Sequence, residues 1–327
     1  MDHSVTRRNA CRLAISATGA ALAAMLLPAC SNGNSGMPGK GKLSVGVRSD
    51  IVGFSERNPN NGKYYGFEID LANELANRLG YGDCSFITVT PETREEMLSS
   101  GKVDCLIACY SISDERKKLF DFSPAYYTDS VILVVENTSL IQSFSQLEGG
   151  TIGTVAGTNA APQLAAKFLE LGLSDGIPRQ QDAESGSIYD TWHLSQYASY
   201  AELSQALEAG DVDAMATDGA IAKTYLDGER TVLPDFGINP QRYAVATKKG
   251  SELSPKIAAE VRSMLKDKTV DKLIKFVRLR CCAGGGNGHG RRVRGACRCR
   301  NRLRIGDGTP TRLDANASIA RGIRSGI

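Results

Sequence analysis

Several residues in this chain are of types that grip a small charged molecule. Arg48, Arg94 and Arg116 carry guanidinium groups, Ser111 and Thr158 hydroxyls, Asn159 an amide and Asp218 a carboxylate. An arginine fork holds a carboxylate through two parallel hydrogen bonds, and a hydroxyl or the backbone N–H groups opening a helix add further donors. Arg116 with Ser111 just before it suits one carboxylate, and Asp218 suits an ammonium. Those two ends describe a free α-amino acid, which leaves Arg48 and Arg94 as cations for a second carboxylate. Each residue also has a plainer use. Arg94, in Thr93-Arg94-Glu95-Glu96, would pair with a nearby acid on a helix surface, and Arg48 with Asp50. Arg116 sits in the charge run Asp114-Glu115-Arg116-Lys117-Lys118, and Asp218 would cap a helix. Spacing alone leaves both sets of roles open.

The elements that must position these residues can be read from the hydrophobic pattern. Short apolar strands alternate with helical patterns from Lys42 onward, which is the signature of α/β units around a mostly parallel sheet. Strands are expected at 43–48, 86–90 and 103–110. Between the first two, Phe67, Leu71, Leu75 and Leu79 recur at helical spacing and stop at Gly80, and a short helix at 93–99 precedes the third. A second lobe starts after an apolar strand at 131–135, with strands at 151–155 and 212–216 and a helix from about 160 to 171. Met97-Leu98-Ser99-Ser100-Gly101-Lys102-Val103-Asp104 is echoed by Ala206-Leu207-Glu208-Ala209-Gly210-Asp211-Val212-Asp213, as two similar lobes would produce. A strand at 242–247 and helices carrying Ile257, Val261, Leu265, Leu273 and Ile274 return to the first lobe. Strands near 132–137 and 242–247 would form a hinge. Ligands of open parallel sheets bind beyond the carboxyl ends of the strands. Arg48, Arg94, Ser111, Ser113, Arg116, Thr158, Asn159 and Asp218 all follow predicted strands, so they fall on that side.

Charge divides the chain unevenly. The 327 residues carry a net +3, but residues 278–327 hold 12 Arg against 2 Asp, which leaves −7 for the rest. The body therefore offers no basic field for nucleic acid. The last 50 residues also contain 10 Gly, 4 Cys and no Lys. They read as a disordered Arg/Gly/Cys-rich tail with the composition of a shifted reading frame. The spacing of Cys281, Cys282, His289, Cys297 and Cys299 is poor for a zinc site, and no metal or cofactor is expected. At the other end, Arg7, Arg8 and Arg12 precede an apolar run from Leu13 to Leu27 and then Pro28-Ala29-Cys30. This is an export signal, and it resembles the bacterial lipoprotein signal, in which the cysteine becomes the lipidated N-terminus. Residues 1–30 are then the signal peptide and 31–42 a flexible tether. A lipid anchor on Cys30 would hold the protein at the outer or periplasmic face of the cell membrane. In such an oxidising compartment a disulfide between Cys84 and Cys105 is possible, as are free buried thiols.

Gly66-Phe67-Glu68-Ile69-Asp70-Leu71-Ala72, Gly101-Lys102-Val103-Asp104, Ser111-Ile112-Ser113-Asp114-Glu115-Arg116-Lys117-Lys118 and Phe120-Asp121-Phe122-Ser123-Pro124-Ala125-Tyr126-Tyr127 occur in this order. As a set they resemble the signature of the family 3 solute-binding proteins of amino-acid ABC transporters, over roughly 43–276. The resemblance implies a two-lobed flytrap (periplasmic-binding-protein) fold with two hinge strands, 43–135 and 246–277 forming one lobe and 138–243 the other. It further implies that Arg116 clamps the α-carboxylate with Ser111, that Asp218 receives the α-amino group, and that Thr158 and Asn159 line the cleft. Thr93-Arg94 is similar to the glutamate and aspartate branch, which also places contacts at Arg48 and Tyr200. Two features depart from the pattern: Ser49-Asp50-Ile51-Val52-Gly53-Phe54 lacks the usual Pro-rich aromatic stretch, and Cys109 replaces a small residue. The implied partners are a polar amino acid, an ABC permease and the membrane through the anchor, with binding rather than catalysis as the function. The family also resembles secreted cyclohexadienyl-type dehydratases, whose site would need a general acid or base. His193, the only histidine of the body, lies in an unremarkable loop segment. A ligand-binding sensor module is the other alternative.

Overall fold

The computed structural model describes residues 41–182 and 186–283, and side chains as far as Phe276. The expected signal peptide, Cys30, most of the tether and the tail from 284 lie outside the described residues. Among the described residues no helix is long and apolar enough to cross a membrane.

Two sheets carry the fold. The first runs in the order Asp83–Thr88, Lys42–Val47, Cys105–Leu106, Ala246–Lys248, Phe120–Phe122. Its first three strands are parallel, and Ala246–Lys248 is antiparallel to both neighbours. Leu43, Val45 and Val47 on one face of their strand and Gly46 on the other are buried, as expected for a parallel strand covered on both faces. The helix Phe67–Leu79 buries Phe67, Leu71 and Leu75 and ends at Gly80 in the left-handed conformation, where glycine has no Cβ penalty. Gly66 opens it with a φ of 122°, and a Cβ there would lie 2.4 Å from the Phe54 carbonyl oxygen. The helix Leu253–Lys266 returns to this lobe with Ile257, Val261 and Met264 buried, followed by Thr269–Ala283.

The second sheet runs Gln180–Asp182, Gly186–Ile188, His193–Tyr197, Thr151–Val155, Ala214–Asp218, Tyr127–Glu136, Arg230–Val232, with Ile238–Tyr243 also paired to Tyr127–Glu136. Thr151–Val155 is parallel to both of its neighbours. Helices Ala160–Glu170 and Tyr200–Ala209 complete the lobe. Its core gathers Val131, Leu133, Val135, Ile152, Leu164 and Trp192.

The structure moves the lobe boundaries. The strand Tyr127–Glu136 pairs with Ala214–Asp218 and Arg230–Val232 and lies wholly in the second sheet, whereas the sequence pattern assigned the chain up to 135 to the first lobe. An apolar run signals burial but does not say in which sheet. The expected single strand at 242–247 is two, Ile238–Tyr243 in the second sheet and Ala246–Lys248 in the first. The crossings are therefore 123–126 and 244–245, and they are bonded to each other. Ser123 N–H donates to the Val245 carbonyl at 2.9 Å, Val245 N–H to Ser123 Oγ at 3.0 Å, and Tyr126 N–H to the Tyr243 carbonyl at 2.9 Å.

Other differences are local. A three-stranded antiparallel sheet, Asp50–Ile51, Ser55–Arg57 and Tyr64–Tyr65, follows the first strand, and His193 opens the strand His193–Tyr197 rather than lying in a loop. Cys84 pairs with Leu43 and Cys105 with Val45 on opposite sides of one strand. That puts the two cysteines about 10 Å apart across two ladders, beyond disulfide reach. Both are free thiols. Burial pushes the Cys84 thiol up to about 11, and its Sγ donates to the Ala72 carbonyl.

Candidate functional site

Of the nine residues placed on the cleft side, eight line one narrow space between the lobes, and Ser113 instead caps the helix Asp114–Leu119. Arg48, Arg94, Ser111, Arg116, Thr158, Asn159, Tyr200 and Asp218 are joined there by Cys109, Ala160, Thr217 and Ile221. Local structure explains the convergence. Arg48 follows Lys42–Val47, Arg94 opens the helix Arg94–Ser99, and Arg116 lies in the helix Asp114–Leu119, whose cap Ser113 accepts from Arg116 N–H at 3.2 Å. Asn159 stands at the cap position of Ala160–Glu170 without a capping bond, Tyr200 opens Tyr200–Ala209, and Asp218 ends Ala214–Asp218. Strand ends of both sheets thus face each other across that space.

The three arginines are compensated unequally. Arg48 is bidentate to Asp50, Nε to Oδ1 at 3.0 Å and Nη2 to Oδ2 at 2.6 Å, and lies 5.5 Å from the Tyr200 ring centre. The pairing with Asp50 is the one its plainer use foresaw. Arg116 donates from Nη1 to the Ser111 carbonyl and from Nη2 to the Gly157 carbonyl, with Nε 3.3 Å from Glu95 Oε1. Arg94 is only 3% exposed. It donates from Nη1 to the Ala108 carbonyl at 3.2 Å and from Nη2 to the Gly157 carbonyl at 3.0 Å, and its Nε has no partner among the described residues. No ion pair joins Arg94 to a carboxylate among the described residues. Arg94 and Arg116 both lie over the Tyr110 ring, 4.5 and 4.3 Å from its centre, a cation–π contact that partly replaces water. Tyr110 in turn donates to Glu95 Oε1 at 2.8 Å. Burial, then repulsion from Arg116 and Arg48, lowers the Arg94 guanidinium to about 10.

On the acidic side of the cleft Asp218 is only partly buried. Asp218 is raised to about 7, chiefly by burial and further by Asp129. The Tyr243 hydroxyl, Arg94 and Arg116 pull it down. Behind the cleft, Glu68 accepts from Cys109 N–H at 2.7 Å and Tyr126 hydroxyl at 2.5 Å, and burial raises its carboxyl. Cys109 holds a φ of 46°, which a non-glycine residue adopts only when its surroundings fix it. Thr217, Ala160 and Ile221 were not anticipated. Thr217 had a usable signal, standing next to Asp218 at a strand end.

Gly157 is one of the places where the lobes touch. Its φ is 71°, and a Cβ on it would lie 2.6 Å from the Pro91 carbonyl oxygen. Only glycine lets the second-lobe turn lie against the backbone of Pro91 and Glu92 and present its carbonyl to two first-lobe arginines.

The model of the bacterial extracellular solute-binding proteins, family 3, matches residues 43–276. The chain is 30% identical to the ABC transporter glutamine-binding protein GlnH of Bacillus subtilis (strain 168) over 240 residues, 72% of this chain and 80% of GlnH. It is 29% identical to the glutamate-binding protein GluB of Corynebacterium efficiens over 65% of this chain and 70% of GluB. Among solved structures, an ancestral arginine-binding protein bound to arginine superposes with a TM-score of 0.59 at 30% identity, over 72% of this chain and 97% of that one. The ancestral amino acid-binding protein AncCDT-1, a precursor of cyclohexadienyl dehydratase, superposes with a TM-score of 0.57 at 30% identity, over 72% and 93%.

Because a Cβ at position 157 meets backbone rather than a flexible side chain, Gly157→Ala is expected to hold the lobes apart. With a saturating mixture of amino acids present, small-angle scattering should give the variant a larger radius of gyration than the parent. Its unfolding free energy should fall by only about 1–2 kcal/mol, the cost of a left-handed alanine. Equal radii would show that the lobes do not meet at this glycine.

Proposed function

The chain belongs to the bacterial extracellular solute-binding proteins, family 3, and from that premise we propose that it is the substrate-binding component of an amino-acid ABC importer whose ligand is glutamate or aspartate. The observation that carries the choice of ligand is Arg94, a buried guanidinium in the cleft with no carboxylate partner. A buried charge is retained at a cost of several kcal/mol unless an opposite charge joins it. The side-chain carboxylate of an acidic amino acid supplies that charge, and a glutamine amide supplies only a neutral oxygen.

On this reading the α-carboxylate docks on Arg116 and Ser111 while the lobes are open. Closure then brings Asp218 onto the ammonium and the turn of Thr158 and Asn159 over the ligand. The free energy of closure comes from contacts to both lobes at once. The glutamate-binding relative supports the acidic ligand, and the glutamine- and arginine-binding relatives support the α-amino-acid clamp. Arg48 is left with a supporting role, since its fork is already filled by Asp50.

Calorimetry over the twenty amino acids tests the assignment. Arg116→Ala and Asp218→Ala should abolish binding of every ligand. Arg94→Leu should weaken glutamate and aspartate by about 100-fold or more, as expected for loss of one member of a buried charge pair, and glutamine by less than tenfold. Equal losses for acidic and neutral ligands would remove Arg94 from the specificity role.

A dehydratase reading has one observation in its favour: Asp218 at about 7 is well placed in pH for general acid catalysis. The proposed ammonium contact uses the same residue without chemistry, so prephenate incubated with the protein should remain unchanged. Turnover would reassign Asp218 as a general acid.

The lipid anchor belongs to the same proposal, because a binder that feeds a permease benefits from being held beside it. Metabolic labelling with palmitate is expected for the parent in its bacterial host and absent for Cys30→Ser, which should move into the soluble extracytoplasmic fraction. A labelled Cys30→Ser protein would place the anchor elsewhere.

A further inference from the structure

Both lobe crossings and both halves of the cleft meet at Tyr243. It is fully buried, ends the strand Ile238–Tyr243 opposite Tyr127, and stacks on that ring at 5.8 Å. Its backbone forms a bridge with Ser111 of the first lobe, and its carbonyl accepts from Tyr126 in the other crossing. Its hydroxyl donates to Asp218 Oδ2 at 2.5 Å and lies 3.4 Å from Asp129 Oδ2.

The two carboxylates that share this hydroxyl are not equivalent. Asp129 already accepts from Ala220 N–H at 2.7 Å and Ser130 N–H at 2.9 Å. Asp218 stands at the cap position of the helix Gly219–Ala222 but makes no capping bond. Among the described residues, Tyr243 is its one hydrogen-bond donor. A partly buried carboxylate with a single hydrogen-bond donor depends on that donor for its direction, and its ionisation responds to that bond.

We propose that Tyr243 is a positioning residue for ligand capture, its hydroxyl pinning Asp218 toward the cleft as the carboxylate that receives the ligand's ammonium. The inference rests on the assignment of Asp218 to the ammonium made above. Six groups face Asp218 from the surrounding elements. Asp129 repels its charge, and Arg94 and Arg116 attract it. Tyr200 and Cys109 are held protonated by burial across the neutral range, and Tyr243 donates the bond. Lys223 acts one step removed, on Asp129.

The sign of the pH dependence follows. A group raised to about 7 must give up its proton before it can pair with an ammonium. Affinity should therefore be level above that pH and fall about tenfold per unit below it. The Tyr243 bond lowers the Asp218 carboxyl, so its removal moves the inflection upward. Removing the Asp129 charge moves it downward.

Calorimetry with L-glutamate from pH 5.5 to 8.5 reads this out on the full chain, with thermal melts to establish that each variant folds. Tyr243→Phe, which keeps the ring, should bind about tenfold more weakly than the parent at pH 7 and recover toward parental affinity at pH 8.5. Asp129→Asn should show the opposite displacement. A Tyr243→Phe profile parallel to the parent's, whether coincident or uniformly weaker, would overturn the proposal, because a purely structural loss does not depend on pH. Asp218→Asn separates this from failure of the underlying assignment. If that variant retains parental affinity at every pH, Asp218 is not the ammonium partner; if it loses binding while the Tyr243→Phe profile stays parallel, only the positioning role is wrong.

Discussion

Keeping three guanidinium groups out of water in one closed cleft is the constraint around which the rest of the structure is arranged. Like charges brought together at low dielectric repel strongly, and each also loses its hydration. The chain answers each case with different means. Asp50, from the small antiparallel sheet after the first strand, fills the fork of Arg48. Glu95 approaches Arg116 while accepting from Tyr110, whose ring receives two of the three cations. For Arg94 there remain two carbonyls and that ring, and one of the carbonyls belongs to the opposite lobe. Contact between the lobes and compensation of charge are thus the same event, and the glycine at 157 is the backbone device that permits both.

A cleft that works by closing needs crossings that bend without parting. Here the crossings are hydrogen-bonded to each other through Ser123 and Val245 and continue directly into the Tyr127–Tyr243 ladder pair. The bending element is therefore a short two-stranded ribbon. Phe54, from the first lobe, packs edge-on against Tyr127 at 4.9 Å and Tyr243 at 6.3 Å. Rotation about the hinge can slide these ring faces over one another without exposing backbone polar groups, in keeping with hinges that concentrate change in a few residues. The interior of each lobe, close-packed around its sheet, then moves as a body.

How much of this could be read in advance depended on whether a signal was local. The helix Phe67–Leu79 was legible because Phe67, Leu71, Leu75 and the Gly80 terminator obey one period, and the strand Thr151–Val155 because it is a bounded apolar run. The cleft residues were legible as a group, since each follows a strand and the polarity of parallel sheets does the rest. The lobe boundary was not. Val131 to Val135 looks the same whichever sheet it joins, and the break between Tyr243 and Ala246 leaves no mark on a continuous apolar segment. The strands Gln180–Asp182 and Gly186–Ile188 are short and polar, and only their pairing makes them strands. Tyr243 was hidden for a different reason. Its hydroxyl meets Asp218 from a strand 25 residues away, and nothing near position 243 in the sequence refers to the cleft.

The relatives share a scaffold but bear names with different ligands, and the charge distribution here suggests why one scaffold can serve them. The groups proposed for the α-carboxylate and ammonium, Arg116 with Ser111 and Asp218, are held by elements common to any α-amino acid. Arg94 shares the Gly157 carbonyl and the Tyr110 ring with Arg116, so on the proposed reading the cation that meets the ligand's side chain sits beside the clamp. A ligand with a cationic side chain would bring a fourth guanidinium or an ammonium to a place where one arginine already lacks a counter-charge. Repulsion between like charges at a buried contact costs several kcal/mol, which on the proposed reading weighs against a cationic side chain. Specificity of this kind works by rejection as much as by attraction. On the proposed reading the Arg94 guanidinium that favours a carboxylate is the same group that turns the cation away.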